Sequence, residues 1–180
     1  MTIGILGSDD RAVAIGRLLR QAGHQLTFSD PPAGVDKAEK AAQALGYGTR
    51  ADSAYNQAST CQTLVLAMRW DDREVALAAL GPVDNQIIVD ATRPPALAGH
   101  SGAEWLARRL GSRHVVKAFV KPIRPNEPIE ICSDDVQAKL AVAALIDSAG
   151  YKALDGGSLA YARDLERSVA EKAPVNTPDP

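Results

Sequence analysis

Short apolar runs alternate along this chain with segments of helical period, and that rhythm restricts its fold more than any other feature. Ile3 to Leu6 is an apolar run closed by Gly7; from Ala12 the period becomes helical through Ile15, Leu19 and Ala22, and Gly23 stops it. Gln25 to Phe28 reads as a second strand, ended by Ser29, Asp30 and Pro31-Pro32. Asp36 and Glu39 then form a capping-box-like start for a helix that reaches Leu45 and ends at Gly46. A third strand is expected over Tyr47 to Thr49 and a short helix over Ser53 to Ala58. The unbroken apolar run Cys61 to Ala67 predicts a strand covered on both faces.

The alternation continues through a helix over Asp71 to Leu80, a strand at Ile87 to Asp90, a helix from about Ala103 to Leu110 and a strand at Val115 to Ala118. After a proline-rich loop come Ile129 to Cys132 and a helix from Ser133 to Gly150, with Asp134 and Asp135 in its positive first turn. Tyr151 to Leu154 is the last expected strand, and Ser158 to Ala170 the last helix. The pattern predicts an α/β fold of the Rossmann type: a doubly wound, mostly parallel sheet with helices on both faces. One domain is expected over residues 1–172, with a disordered tail over 173–180.

Charge narrows the class of partner. The 20 basic and 22 acidic residues give a formal charge of −2, too balanced for wrapping nucleic acid or binding an acidic membrane surface. Small molecules, or copies of the chain itself, are the expected partners. The first apolar run meets Asp9, Asp10 and Arg11 at once, too early for a secretory signal or a membrane span. Cys61 and Cys132 lie in or at the end of apolar runs and read as buried reduced thiols, so the expected setting is cytoplasmic. His24, His100 and His114 show no metal-ligand spacing, and Ser8 has no recognisable histidine partner, so neither a metal site nor a nucleophilic hydrolase is expected.

The segment Gly7-Ser8-Asp9-Asp10-Arg11-Ala12 occupies the phosphate-loop positions G-x-G-x-x-G/A between the first strand and helix. Gly7 suits the tight turn and Ala12 the close helix packing, but Asp9 stands where glycine lets a backbone approach pyrophosphate. Gly7 also fits a plain strand-ending turn, and the hexapeptide alone leaves both readings open.

Longer matches carry a resemblance. They are I-G-I-L-G at Ile3 to Gly7, A-G-H at Ala22 to His24, L-V-L-A-M-R-W at Leu64 to Trp70, and I-I-V-D-A-T at Ile87 to Thr92. S-G-A-E-W-L-A at Ser101 to Ala107, V-V-K-A-F at Val115 to Phe119, A-A-L-I-D-S-A-G at Ala143 to Gly150 and A-R-D-L-E at Ala162 to Glu166 continue in step. From Met1 to about Arg167 the chain resembles the deazaflavin-dependent NADP oxidoreductases, including their short single-domain members. The resemblance implies a homodimer that binds NADP(H) on a Rossmann domain and passes hydride between the nicotinamide and a deazaflavin; related membrane ferric reductases use a similar domain with flavin. It places cofactor contacts at Gly7 to Ala12, Ser29, Asp30, Met68, Arg69, Trp70, Thr92 and Arg93.

The departures from the family pattern are Asp9 in the loop, Arg93-Pro94 where N-P is common, and Phe119-Val120 where A-F-N is common. Asp30 also follows Ser29 where the family favours residues that hold a 2′-phosphate; an acid there suits the free ribose hydroxyl of NAD, or is a turn residue before Pro31. Arg69, Arg93, Lys121 and Arg124 are expected at the carboxyl ends of the strands, as one positive rim or as separately solvated charges. Trp70 is read as a roof for the nicotinamide or as rim packing. Tyr161 and Leu165 are read as dimer contacts or as residues buried on the chain's own sheet. The leading expectation is an NAD(P)-dependent oxidoreductase with a flavin-like acceptor. Its alternatives are a non-catalytic nucleotide-binding or sensor domain with a degenerate loop, and a subunit-interaction module.

Overall fold

Six parallel strands form the main sheet of the computed structural model, which describes residues 1–31 and 33–170. They are β1 (Thr2–Leu6), β2 (Gln25–Ser29), β3 (Thr49–Ala51), β4 (Thr63–Leu66), β5 (Ile87–Asp90) and β6 (Val115–Lys117), in the order β3-β2-β1-β4-β5-β6. This is the doubly wound Rossmann order, with its switch point between β1 and β4. The helices are α1 (Asp10–Gln21), α2 (Val35–Leu45), α3 (Ala54–Thr60), α4 (Arg73–Leu80), α5 (Gly102–Leu110), α6 (Val136–Ser148) and α7 (Ala162–Ala170). The tail expected over 173–180 lies outside the described residues.

Alternate residues of each strand feed two cores, as a doubly covered sheet requires. Ile3, Ile5, Val65, Val89 and Val116 pack with Ile15 and Leu19 of α1, Ala41 of α2 and Val142 and Ile146 of α6. Leu6, Leu64, Leu66, Ile88 and Val115 pack on the other face with Ala58 of α3, Leu77 and Leu80 of α4, Leu106 of α5 and Leu165 of α7. Among the described residues no helix is long and apolar enough to cross a membrane.

Several local expectations are corrected. The third strand runs two residues later than expected, because Gly46 and Gly48 both take positive φ and use Tyr47 in the turn. No capping box forms at α2: its N-cap is Gly34 and no side chain caps it. A capping box forms instead at α5, where Ser101 and Glu104 satisfy each other's backbone N–H groups. The sixth helix begins at Val136 rather than Ser133; Asp135 is its N-cap, and Asp134 accepts a hydrogen bond from the Leu159 N–H at 2.9 Å. The two late strands, β7 (Ile129–Ile131) and β8 (Ala153–Asp155), do not join the main sheet. They form a separate parallel pair, tied to β6 through an antiparallel bridge between Lys117 and Cys132.

The α5 cap also holds α7. Arg163 donates to both carboxylate oxygens of Glu104, at 2.8 and 2.6 Å. Arg163 and the Ser101 donors hold the Glu104 carboxyl down at about 2, against an opposing push from burial. A folded pKa below the unfolded one stabilises at neutral pH, and that contribution disappears as pH falls from the ordinary carboxyl range toward about 2. Glu104→Gln is therefore expected to cost about 1 kcal/mol near neutrality and nothing at the acid end, because half-exposed Arg163 is screened by solvent. Urea unfolding across acid pH checks this; equal losses at both ends would contradict it.

Candidate dinucleotide crevice

The crevice opens where β1 and β4 part, at the carboxyl ends of the strands. Gly7 makes the turn out of β1 at φ +115°, and a Cβ there would stand 2.7 Å from the backbone of Ala67 and Met68. Only glycine lets the β1–α1 turn lie this close to the end of β4. The turn bounds a crevice of about 480 Å³ that is also lined by Ser8, Asp9, Asp30, Ala33, Lys37, Ala67, Met68, Arg69 and Asp72.

Asp9 has a local structural reason to be there. It is the N-cap of α1, and its carboxylate accepts the Ala12 N–H at 2.9 Å, so one donor that a phosphate would use is already engaged. Arg11 pairs with Asp9 at 3.6 Å and reaches across the turn to the carbonyls of Ala67 and Met68, at 3.1 and 3.4 Å. The Arg11 Nε is buried and has no partner among the described residues. Asp10 is the first residue of α1 and exposed, whereas Ala12 is fully buried beneath the turn.

The other candidate residues are distributed as follows. Ser29 is buried, with its hydroxyl unpartnered among the described residues, and Asp30 accepts a hydrogen bond from the Ser8 hydroxyl. Met68 is buried in the crevice wall. Arg69 is exposed and held by Asp72 at 2.7 and 3.1 Å, which raises its pKa. Trp70 does not roof the crevice. It is buried, edge-on to Trp105 with centroids 5.4 Å apart, and Arg73 lies over both rings. Arg93 donates to the Val120 carbonyl at 2.6 Å, and its pKa is lowered by burial and by nearby Arg11.

The four cations do not make one rim. Arg69 lines the phosphate-loop crevice, while Arg93, Lys121 and Arg124 line a second groove with Pro94, Pro95 and Glu127. Lys121 is paired with Glu130 and Arg124 with Glu127. Phe119, at one departure from the family pattern, takes φ +56°, an uncommon conformation for an aromatic residue.

One cluster was not anticipated from the sequence. Lys117 is fully buried, 2.8 Å from Asp90 and 2.7 Å from Glu166, and donates to the Thr92 carbonyl at 2.9 Å. The second Asp90 oxygen accepts the Thr92 N–H and hydroxyl, at 2.8 and 2.6 Å. Glu166 accepts the Gly102 N–H at 2.9 Å, at the positive end of α5. The cluster thus ties Thr92, and the Arg93 that follows it, to β5, β6 and α7. Cys132, which follows β7 and is bridged to Lys117, is a free buried thiol whose pKa burial pushes up to about 12.

Comparison with known proteins gives a family and a fold. A family model described as NADP oxidoreductase, coenzyme F420-dependent, matches residues 2–94. The rat metalloreductase STEAP3 is 25% identical over 177 residues, covering 91% of this chain but 35% of its own length. The chain therefore spans about a third of that curated relative. Among solved structures, a candidate F420-dependent NADP-reductase from Arthrobacter sp. FB24 superposes with TM-score 0.78 at 22% identity, covering 94% of this chain and 90% of the other. An imine reductase from Myxococcus stipitatus in complex with NAD+ gives 0.71 at 15% identity, over 95% of this chain and 60% of the other. These two likenesses show the Rossmann-type fold. The family match takes in every candidate residue from Gly7 to Arg93, and the chain belongs to the coenzyme F420-dependent NADP oxidoreductase family of NAD(P)-dependent oxidoreductases.

Proposed function

We propose that this chain transfers hydride between a nicotinamide dinucleotide and a flavin- or deazaflavin-like acceptor. The observation that carries the reading is the β1–α1 turn, where Gly7 clears a crevice at the switch point of a six-stranded parallel sheet. Two features favour a dinucleotide there: Gly7 permits close backbone approach, and Arg11 beside the turn carries an Nε that has no partner among the described residues. Gly7, Ser8 and Arg11 would hold its phosphates, and Asp30 its ribose. The dinucleotide supplies the hydride, while the protein orients it and excludes water. The acceptor is assigned to the second groove, where Lys121 and Arg124 are already paired with Glu130 and Glu127 and Arg93 is the cation that an anionic group would meet.

A second subunit is part of the proposal. Leu165 is buried in the chain's own core and Tyr161 is half-buried. The exposed Val136 and Leu140 lie one turn apart on α6 and suit a homodimer contact, which sedimentation at micromolar concentration checks.

Asp9 at the helix N-terminus favours one rival, a nucleotide-binding domain without turnover. The deciding experiment titrates NADH and NADPH by calorimetry and then follows their oxidation with added flavin or deazaflavin. Binding with acceptor-dependent turnover supports hydride transfer. Binding without turnover supports the rival, and no binding by either the natural protein or Asp9→Gly excludes both.

A further inference from the structure

We propose that Asp30 makes this crevice select NAD(H) over NADP(H), an inference that rests on the dinucleotide reading above. Asp30 follows the last residue of β2, roughly twenty residues beyond Gly7, where a Rossmann fold places the residue that meets the adenosine ribose. Its carboxylate is not consumed by the turn that follows. The Ala33 and Gly34 N–H groups donate to the main-chain carbonyl of Asp30, at 3.1 and 2.7 Å, so the turn is held without the side chain. The side chain instead crosses to the β1–α1 turn and accepts the Ser8 hydroxyl, which fixes it in the crevice wall.

The charges around it do not prepare a phosphate site. Among the described residues Asp30 forms no ion pair. Arg69 is engaged in a two-point contact with Asp72, and Lys37 offers one exposed ammonium. An ionised carboxylate only accepts hydrogen bonds, so a ribose hydroxyl can donate to it whereas a 2′-phosphate brings a like charge against it. The family's description names NADP; at this position the residues present fit the unphosphorylated ribose.

The test is calorimetric titration of the full chain with NADH and with NADPH, repeated for Asp30→Asn, which keeps an oxygen for Ser8 and removes the charge. NADH is expected to bind the natural protein on the order of a hundredfold tighter than NADPH, and Asp30→Asn to narrow that ratio by about tenfold or more. Equal or tighter NADPH binding by the natural protein, which needs no variant, overturns the inference and leaves the dinucleotide reading standing. An unchanged ratio in folded Asp30→Asn also overturns it. No binding of either dinucleotide, by the natural protein or by Asp9→Gly, overturns the reading and the inference together.

Discussion

Replacing Lys117 with methionine is expected to lower unfolding stability by about 3–5 kcal/mol, the largest effect of any single change considered. Lys117 is the cation of a buried group that includes Asp90 and Glu166, and each carboxylate stands within 2.8 Å of its amine. Methionine preserves the length and packing of the side chain but leaves the carboxylates buried with no cation between them. The Thr92 carbonyl also loses its donor. The α5 N-terminus still favours the Glu166 charge, which keeps the cost from being larger. Urea denaturation measures the loss, and an unchanged slope with a lower midpoint would show that stability has changed without a change in the surface exposed on unfolding. A loss under about 1 kcal/mol would mean that the buried carboxylates do not depend on the Lys117 charge.

Glycine at position 9 is expected to separate binding from folding. A carboxylate about 5 Å from a phosphate costs on the order of 3 kcal/mol at an effective dielectric near 20, so Asp9→Gly is expected to tighten dinucleotide binding up to about a hundredfold. The variant also frees the Ala12 N–H, which now donates to Asp9 at 2.9 Å, for a phosphate oxygen. Stability changes little, because glycine is itself a tolerated N-cap and the loss is a few tenths of a kcal/mol. Arg11 moderates the gain. Its pair with Asp9 at 3.6 Å already offsets part of the repulsion, and the double change with Arg11→Ala separates the two contributions. If calorimetry detects no dinucleotide with either the natural protein or Asp9→Gly, the loop is not excluding a ligand that otherwise fits, and the oxidoreductase reading fails.

The candidate site was legible in the sequence where one segment carries it. The strand, Gly7 and the following helix are contiguous, so their order alone places the loop and Asp9 within it. What Asp9 does there was not legible, because a cap to the Ala12 N–H and an obstacle to phosphate look alike in a hexapeptide. The alternatives left open for Trp70 and the four cations were undecidable in the sequence for a related reason. A residue at a strand end is assigned to the rim by topology, but whether it turns outward depends on partners elsewhere, here Trp105, Asp72, Glu127 and Glu130.

Hydrophobic period by itself determined the βα alternation, the parallel sheet and its two covered faces, since both periods follow from the local geometry of strand and helix. It also located the glycines that end α1 and α2. The tertiary structure alone decided that β7 and β8 leave the main sheet, because pairing partners are not encoded in a strand's own pattern. It decided as well that Asp30 faces the crevice, and that Lys117 is buried at all. A lone lysine in Val115-Val116-Lys117-Ala118 was the available signal. Its counter-charges come from the neighbouring strand and from a helix near the end of the chain, and only the folded molecule brings Asp90 and Glu166 together around one amine.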